Sequence, residues 1–97
     1  MELGGNDAFV VLPHHDMDTL VAQAVAGRIN NAGQRCNSSK RFIVLQQYYD
    51  QFCEKMSQTM STLRIGDPMD SQTQLGPLAK VDLVQEVHRQ VQETISQ

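Results

Sequence analysis

Two residues 34 positions apart, Glu2 and Cys36, have the types needed for a base and a nucleophile. Cys36 ends the stretch Gly33-Gln34-Arg35-Cys36, directly after a glycine turn. A thiol placed there is open to chemistry, and its backbone N–H can point at a developing oxyanion. Arg35 and Lys40 add positive charge nearby, which favours a thiolate. The competing reading of Cys36 is a small packed hydrophobe, a common fate for a free cysteine. Glu2 opens Glu2-Leu3-Gly4-Gly5, where two glycines permit a tight turn and the close approach of a ligand to the backbone. A glutamate held there and partly desolvated suits the activation of water, whereas a fully solvated one does nothing of the kind.

The remaining reactive side chains point elsewhere. Cys53 lies on the apolar stripe of a helical segment and is expected to pack in the core. His14 and His15 are adjacent, project in different directions and have no further ligand at metal spacing, so a surface turn is expected and no metal site. Asp67 and Asp70 read as turn residues.

The elements that must position Cys36 are legible from periodicity. Ala8-Phe9-Val10-Val11-Leu12 is a continuous apolar run closed by Pro13, which predicts a strand buried on both faces. Leu20, Val21, Ala24, Val25 and Ile29 recur at helical spacing after a capping Asp16 or Asp18, and Asn30, Asn31 and Gly33 stop that helix. Arg41-Phe42-Ile43-Val44-Leu45 predicts a second strand. Tyr49, Phe52, Cys53, Met56, Met60 and Leu63 then form a stripe expected to face a core. Gly66-Asp67-Pro68 and Gly76-Pro77 bound a polar loop. A third amphipathic helix from about Val81 carries Leu83, Val84, Val87, Val91 and Ile95.

Strands alternating with helices predict an α/β architecture, a partial open parallel sheet with flanking helices and right-handed crossovers. Two strands that both read as central need further neighbours, so the chain is expected to be a slice of a larger domain. Its 97 residues and net charge of −3, without a basic stripe, give no reason to expect nucleic acid as a partner. No apolar run approaches ~18 residues, so no membrane span is expected. The start has no secretory pattern, which makes a reducing cytoplasm the expected location and free thiols the expected state of Cys36 and Cys53.

Taken together, Glu2-Leu3-Gly4-Gly5 and Asn31-Ala32-Gly33-Gln34-Arg35-Cys36 at this separation resemble the glutamate and cysteine signatures of the aldehyde dehydrogenase superfamily. Lys40-Arg41-Phe42-Ile43-Val44 looks like the strand after the nucleophile, Gly66-Asp67-Pro68 like the family's loop, and Gly76-Pro77-Leu78-Ala79 like the segment opening the next helix. Asn6, and the residues Asp82-Leu83 and Glu86-Val87-His88 that follow that segment, look most like bacterial succinate-semialdehyde dehydrogenases.

The resemblance implies a slice of the aldehyde dehydrogenase catalytic domain over residues 1–97, in which Cys36 attacks a small aldehyde to give a thiohemiacetal. Its own N–H, with an asparagine from elsewhere, holds the oxyanion. Hydride passes to NAD or NADP, and Glu2 activates water to hydrolyse the thioester. Gly4 and Gly5 would line the cofactor approach, and Gln34 and Arg35 the substrate mouth. The dinucleotide-binding domain of the family is absent from these 97 residues, so the isolated chain is expected to be inactive and the complete enzyme a homo-oligomer. The competing class is a non-catalytic truncated product acting as an interaction or assembly module through its exposed strand edges.

Overall fold

In a computed structural model, residues 5–13 and 16–97 are described. Glu2, Gly4, His14 and His15 therefore lie outside the described residues. The chain order is β1 (Asp7–Val11), α1 (Met17–Ile29), a 3-10 turn (Asn30–Gly33), β2 (Ser39–Val44), α2 (Gln46–Ser61) and α3 (Val81–Ser96). The two strands pair in parallel, with Phe9 opposite Phe42, Val10 opposite Ile43 and Val11 opposite Val44. The register slips between Asp7 and Ala8, where Asp7 pairs with Ser39 and Ala8 with Arg41, leaving Lys40 as the extra residue of the bulge.

α1 starts where Asp16 caps it. The Asp16 carboxylate accepts from the Thr19 N–H at 3.1 Å and from the Thr19 hydroxyl at 2.6 Å, satisfying a first-turn donor that the helix itself leaves open. Its buried residues Met17, Leu20, Val21, Ala24 and Val25 fall at helical spacing on one face. They form a core with Val11 and Phe52, flanked by Phe9, Phe42, Val44, Tyr48 and Met56. Three rings run through it, Phe9 to Phe42 at 5.7 Å and Phe42 to Phe52 at 6.0 Å, both tilted pairs. Across the top, Lys55 of α2 meets Asp18 of α1 at 2.6 Å.

Two expectations need correction, those for the strands and for Cys53. The strands are not buried on both faces: Phe9, Val11, Phe42 and Val44 face the helices, while Val10 and Ile43 on the opposite face are 55% and 50% exposed. Both helices cover the same side of the sheet, which leaves the other side open. α3 has no buried residue, and its stripe of Leu83, Val84, Val87, Val91 and Ile95 is exposed. Cys53 is likewise exposed, on the rim of an apolar groove with Phe42, Phe52, Met56 and Met60. In each case apolar periodicity reports which side chains favour burial, while no described residue covers them.

Candidate active site

The segment carrying Cys36 is shaped by the way α1 ends. Asn31, Ala32 and Gly33 take left-handed backbone conformations at φ 54°, 56° and 78°. Asparagine and glycine adopt this region readily, while Ala32 does so at a steric cost of about 1 kcal/mol. The chain then reverses through a β-turn in which the Ser38 N–H donates to the Arg35 carbonyl at 3.2 Å. Cys36 occupies the corner of that turn and is exposed, as its position after the glycine predicts.

Four contacts hold the turn. Lys40, the bulge residue of β2, donates from Nζ to the Arg35 carbonyl at 2.6 Å and to the Cys36 carbonyl at 2.8 Å. Gln34 is bonded at both ends of its amide. Its Nε2 donates to the Asn31 carbonyl at 3.0 Å, and its Oε1 accepts from the Ala79 N–H at 2.9 Å. That second bond joins the Gly76-Pro77-Leu78-Ala79 segment to the cysteine turn across 45 positions of sequence. On the far side, the Cys36 carbonyl lies against Gly5 so closely that any Cβ there would clash with it. Arg41, next to Lys40, donates from Nε to the Asn6 carbonyl at 3.1 Å and fixes the same end of β1.

The predicted residues therefore fall into distinct places. Gly5 and Cys36 are brought together by the parallel pairing of β1 and β2. Gln34 is engaged within the chain, and Arg35 stands exposed on the turn. The close approach permitted at Gly5 is made by the backbone of Cys36, so the missing Cβ is accounted for within the chain itself. Among the described residues no group of three metal-ligating side chains is present. Asp67 and Asp70 close Asx turns as expected, accepting from the Met69 and Gln72 N–H groups at 2.9 Å each. No helix among the described residues is long and apolar enough to cross a membrane.

Two features escaped the sequence. Lys40 was legible as nearby charge but not as a clamp on backbone carbonyls, because the bulge that turns it toward the turn is a pairing irregularity. Ser38 is buried with no hydrogen-bond partner for its hydroxyl among the described residues, and no sequence signal distinguishes it from the neighbouring Ser39.

The aldehyde dehydrogenase family profile matches residues 1–97, the whole chain. The chain belongs to the aldehyde dehydrogenase family. It is 50% identical over 91 residues to the NADP(+) succinate-semialdehyde dehydrogenase of Mycobacterium leprae, covering 94% of this chain and 20% of that enzyme. The corresponding enzyme of Deinococcus radiodurans is 43% identical over 95 residues, covering 98% of this chain and 20% of the relative. Among solved aldehyde dehydrogenase structures, the succinic semialdehyde dehydrogenase of Streptococcus pyogenes, in complex with NADP+ as the cofactor, superposes with a TM-score of 0.86 at 45% identity, over 94% of this chain and 20% of that one. The succinate-semialdehyde dehydrogenase of Burkholderia pseudomallei gives 0.88 at 35% identity, over 98% and 20%. The aldehyde dehydrogenase fold is thus established for these residues, and the chain spans about a fifth of the length of the relatives it matches.

Proposed function

We propose that the chain is the catalytic-cysteine segment of an NADP-dependent aldehyde dehydrogenase that oxidises succinate semialdehyde to succinate. The observation that carries this reading is Cys36 at the corner of a clamped turn, exposed and packed by its own carbonyl against Gly5, which is three residues from Glu2. The substrate and cofactor are carried from the names of the Mycobacterium leprae and Streptococcus pyogenes relatives.

In this reading the Cys36 sulfur attacks the aldehyde carbon and its own N–H holds the resulting oxyanion. Gly4 and Gly5 would line the approach of a nicotinamide cofactor, which when bound would supply the hydride acceptor needed for the Cys36 adduct to become a thioester. Glu2 then takes a proton from water, which attacks the thioester, releases the carboxylate and returns the thiol. Gln34 shapes the substrate mouth through the backbone it ties together, and Arg35 contributes its exposed guanidinium there. The activity belongs to a protein of the relatives' length, cytoplasmic and assembled from identical subunits, and the 97 residues alone oxidise no aldehyde.

The test is replacement of Cys36 by alanine in an enzyme of that length carrying this segment. Loss of succinate-semialdehyde-dependent NADPH formation supports the assignment, and an unchanged rate removes it. A second reading, an assembly module, is favoured by one observation, the open apolar face at Val10 and Ile43. It competes with the first, and a chain that stays monomeric at high concentration counts against it.

A further inference from the structure

The reading of Cys36 as nucleophile gives its backbone N–H a task, and the direction of that N–H is set by groups that sequence motifs do not name. A trans peptide is planar, so the Arg35 carbonyl and the Cys36 N–H point in opposite directions from one rigid plane. Whatever holds the carbonyl aims the N–H. Two donors hold it, the Ser38 N–H at 3.2 Å and the Lys40 ammonium at 2.6 Å, which together use both lone pairs of the oxygen. The Lys40 bond carries a full charge and is therefore the stronger of the two. The same ammonium also holds the next plane through the Cys36 carbonyl at 2.8 Å. Both peptide planes flanking Cys36 are thus tied to one side chain, which sets where the Cys36 sulfur leaves the backbone relative to its own N–H. No acceptor takes that N–H among the described residues.

Resting on that reading of Cys36, we propose that Lys40 is a positioning residue that aims the Cys36 N–H at the oxyanion by holding the carbonyls of Arg35 and Cys36. Its ammonium also draws electron density from the Arg35–Cys36 peptide, which makes that N–H a better donor when negative charge develops. A role confined to stabilising the thiolate would have the ammonium face the sulfur; here two of its donors are engaged by backbone oxygens.

Two reactions of the same thiol separate these roles. Acylation by p-nitrophenyl acetate passes through a tetrahedral oxyanion as sulfur adds to the ester carbonyl and p-nitrophenolate leaves. Alkylation by iodoacetamide displaces iodide from carbon with no oxyanion. Both require the thiolate, and any thiol undergoes both, so their rate ratio is always measurable. The chain carries Cys53→Ser so that Cys36 alone reacts. Lys40→Met, which keeps the length of the stem and removes the donors, is expected to lower the acylation-to-alkylation ratio about tenfold, short of the ~100-fold cost of deleting an oxyanion donor outright. Lys40→Arg is expected to retain most of the ratio. Should Lys40→Met lose the native circular dichroism, Lys40→Leu, which likewise carries no donor, gives the same comparison. An unchanged ratio, or both rates falling together, overturns the proposal. A ratio equal to that of free cysteine with Lys40 in place overturns it by a different route, because then the oxyanion role of Cys36 itself fails.

Discussion

The carbonyl of Cys36 occupies the space that a side chain at Gly5 would need. Gly5 stands next to β1 and Cys36 just before β2, so the parallel pairing of the two strands brings the ends of two distant motifs into contact. A Cβ at Gly5 would run into that backbone oxygen whatever the conformation of the glycine. The requirement is spatial.

Gly5→Ala is therefore expected to push the Cys36 turn aside. The backbone oxygen has no rotamer by which to yield, so the change should cost about 1–3 kcal/mol, the usual range for overpacking, and should slow Cys36 acylation as well. Gly76→Ala serves as the control, because its added Cβ would meet only the Pro68 side chain at an ordinary 3.7 Å. Urea unfolding and p-nitrophenyl acetate acylation of both chains check this. Equal behaviour of the two substitutions would contradict the steric account.

α3 carries its own electrostatic signature. Hydrogen bonds from Arg89 first, then from Gln90, hold the Glu86 carboxyl down at about 2, below its ordinary 4.5. Arg89 also pairs with Glu93 one turn on. A depressed carboxyl contributes stability above its unfolded value and loses it as pH falls through the folded one. The far-ultraviolet ellipticity of α3 should thus hold steady from neutral pH to about 5 and decline from there toward 2. These groups are exposed, so the effect should be small and weaken in salt. In Arg89→Met the Glu86 titration, followed by carboxyl carbon-13 shifts, should move up toward its ordinary range. A titration unmoved by that change would remove the ion pair as the cause.

The open side of the sheet presents Val10, Leu12, Ile43 and Leu45, and α3 adds Leu83, Val84, Val87 and Val91. Contiguous apolar surface with unpaired strand edges drives association. The isolated chain is expected to scatter light as an oligomer at micromolar concentration, and Ile43→Lys combined with Val87→Lys is expected to shift it toward monomer. A monomer at every concentration tested would show that these faces are not sticky enough to matter.

These open faces also mark where sequence reading runs out. The strands, the three helices and the left-handed stop after Ile29 follow from local patterns: continuous apolar runs, spacing by three and four, and asparagine with glycine. What local pattern does not carry is the presence of a partner. The position of Cys53 on α2 reads as core because its spacing is that of core residues, and the stripe of α3 is amphipathic, yet no described residue buries either. The site shows the same division. Cys36 was legible from its glycine turn and from its 34-residue spacing to Glu2. Lys40 as a carbonyl clamp and Gln34 as a tie to Ala79 depend on a strand bulge and on a contact across 45 positions, neither of which leaves a periodic trace. The positive φ of Ala32 was equally hidden, since alanine gives no sign of tolerating it.

The central claim, that Cys36 forms the covalent intermediate, is tested most directly by trapping it. In an enzyme of the relatives' length carrying this segment, Glu2→Gln should slow hydrolysis and let the thioester accumulate during incubation with succinate semialdehyde and NADP+. After an acid quench, peptide mass spectrometry should find one succinyl group on the peptide containing Cys36 and none on that containing Cys53. A succinyl group on Cys53, or sustained turnover with Cys36 replaced by alanine, would contradict the account.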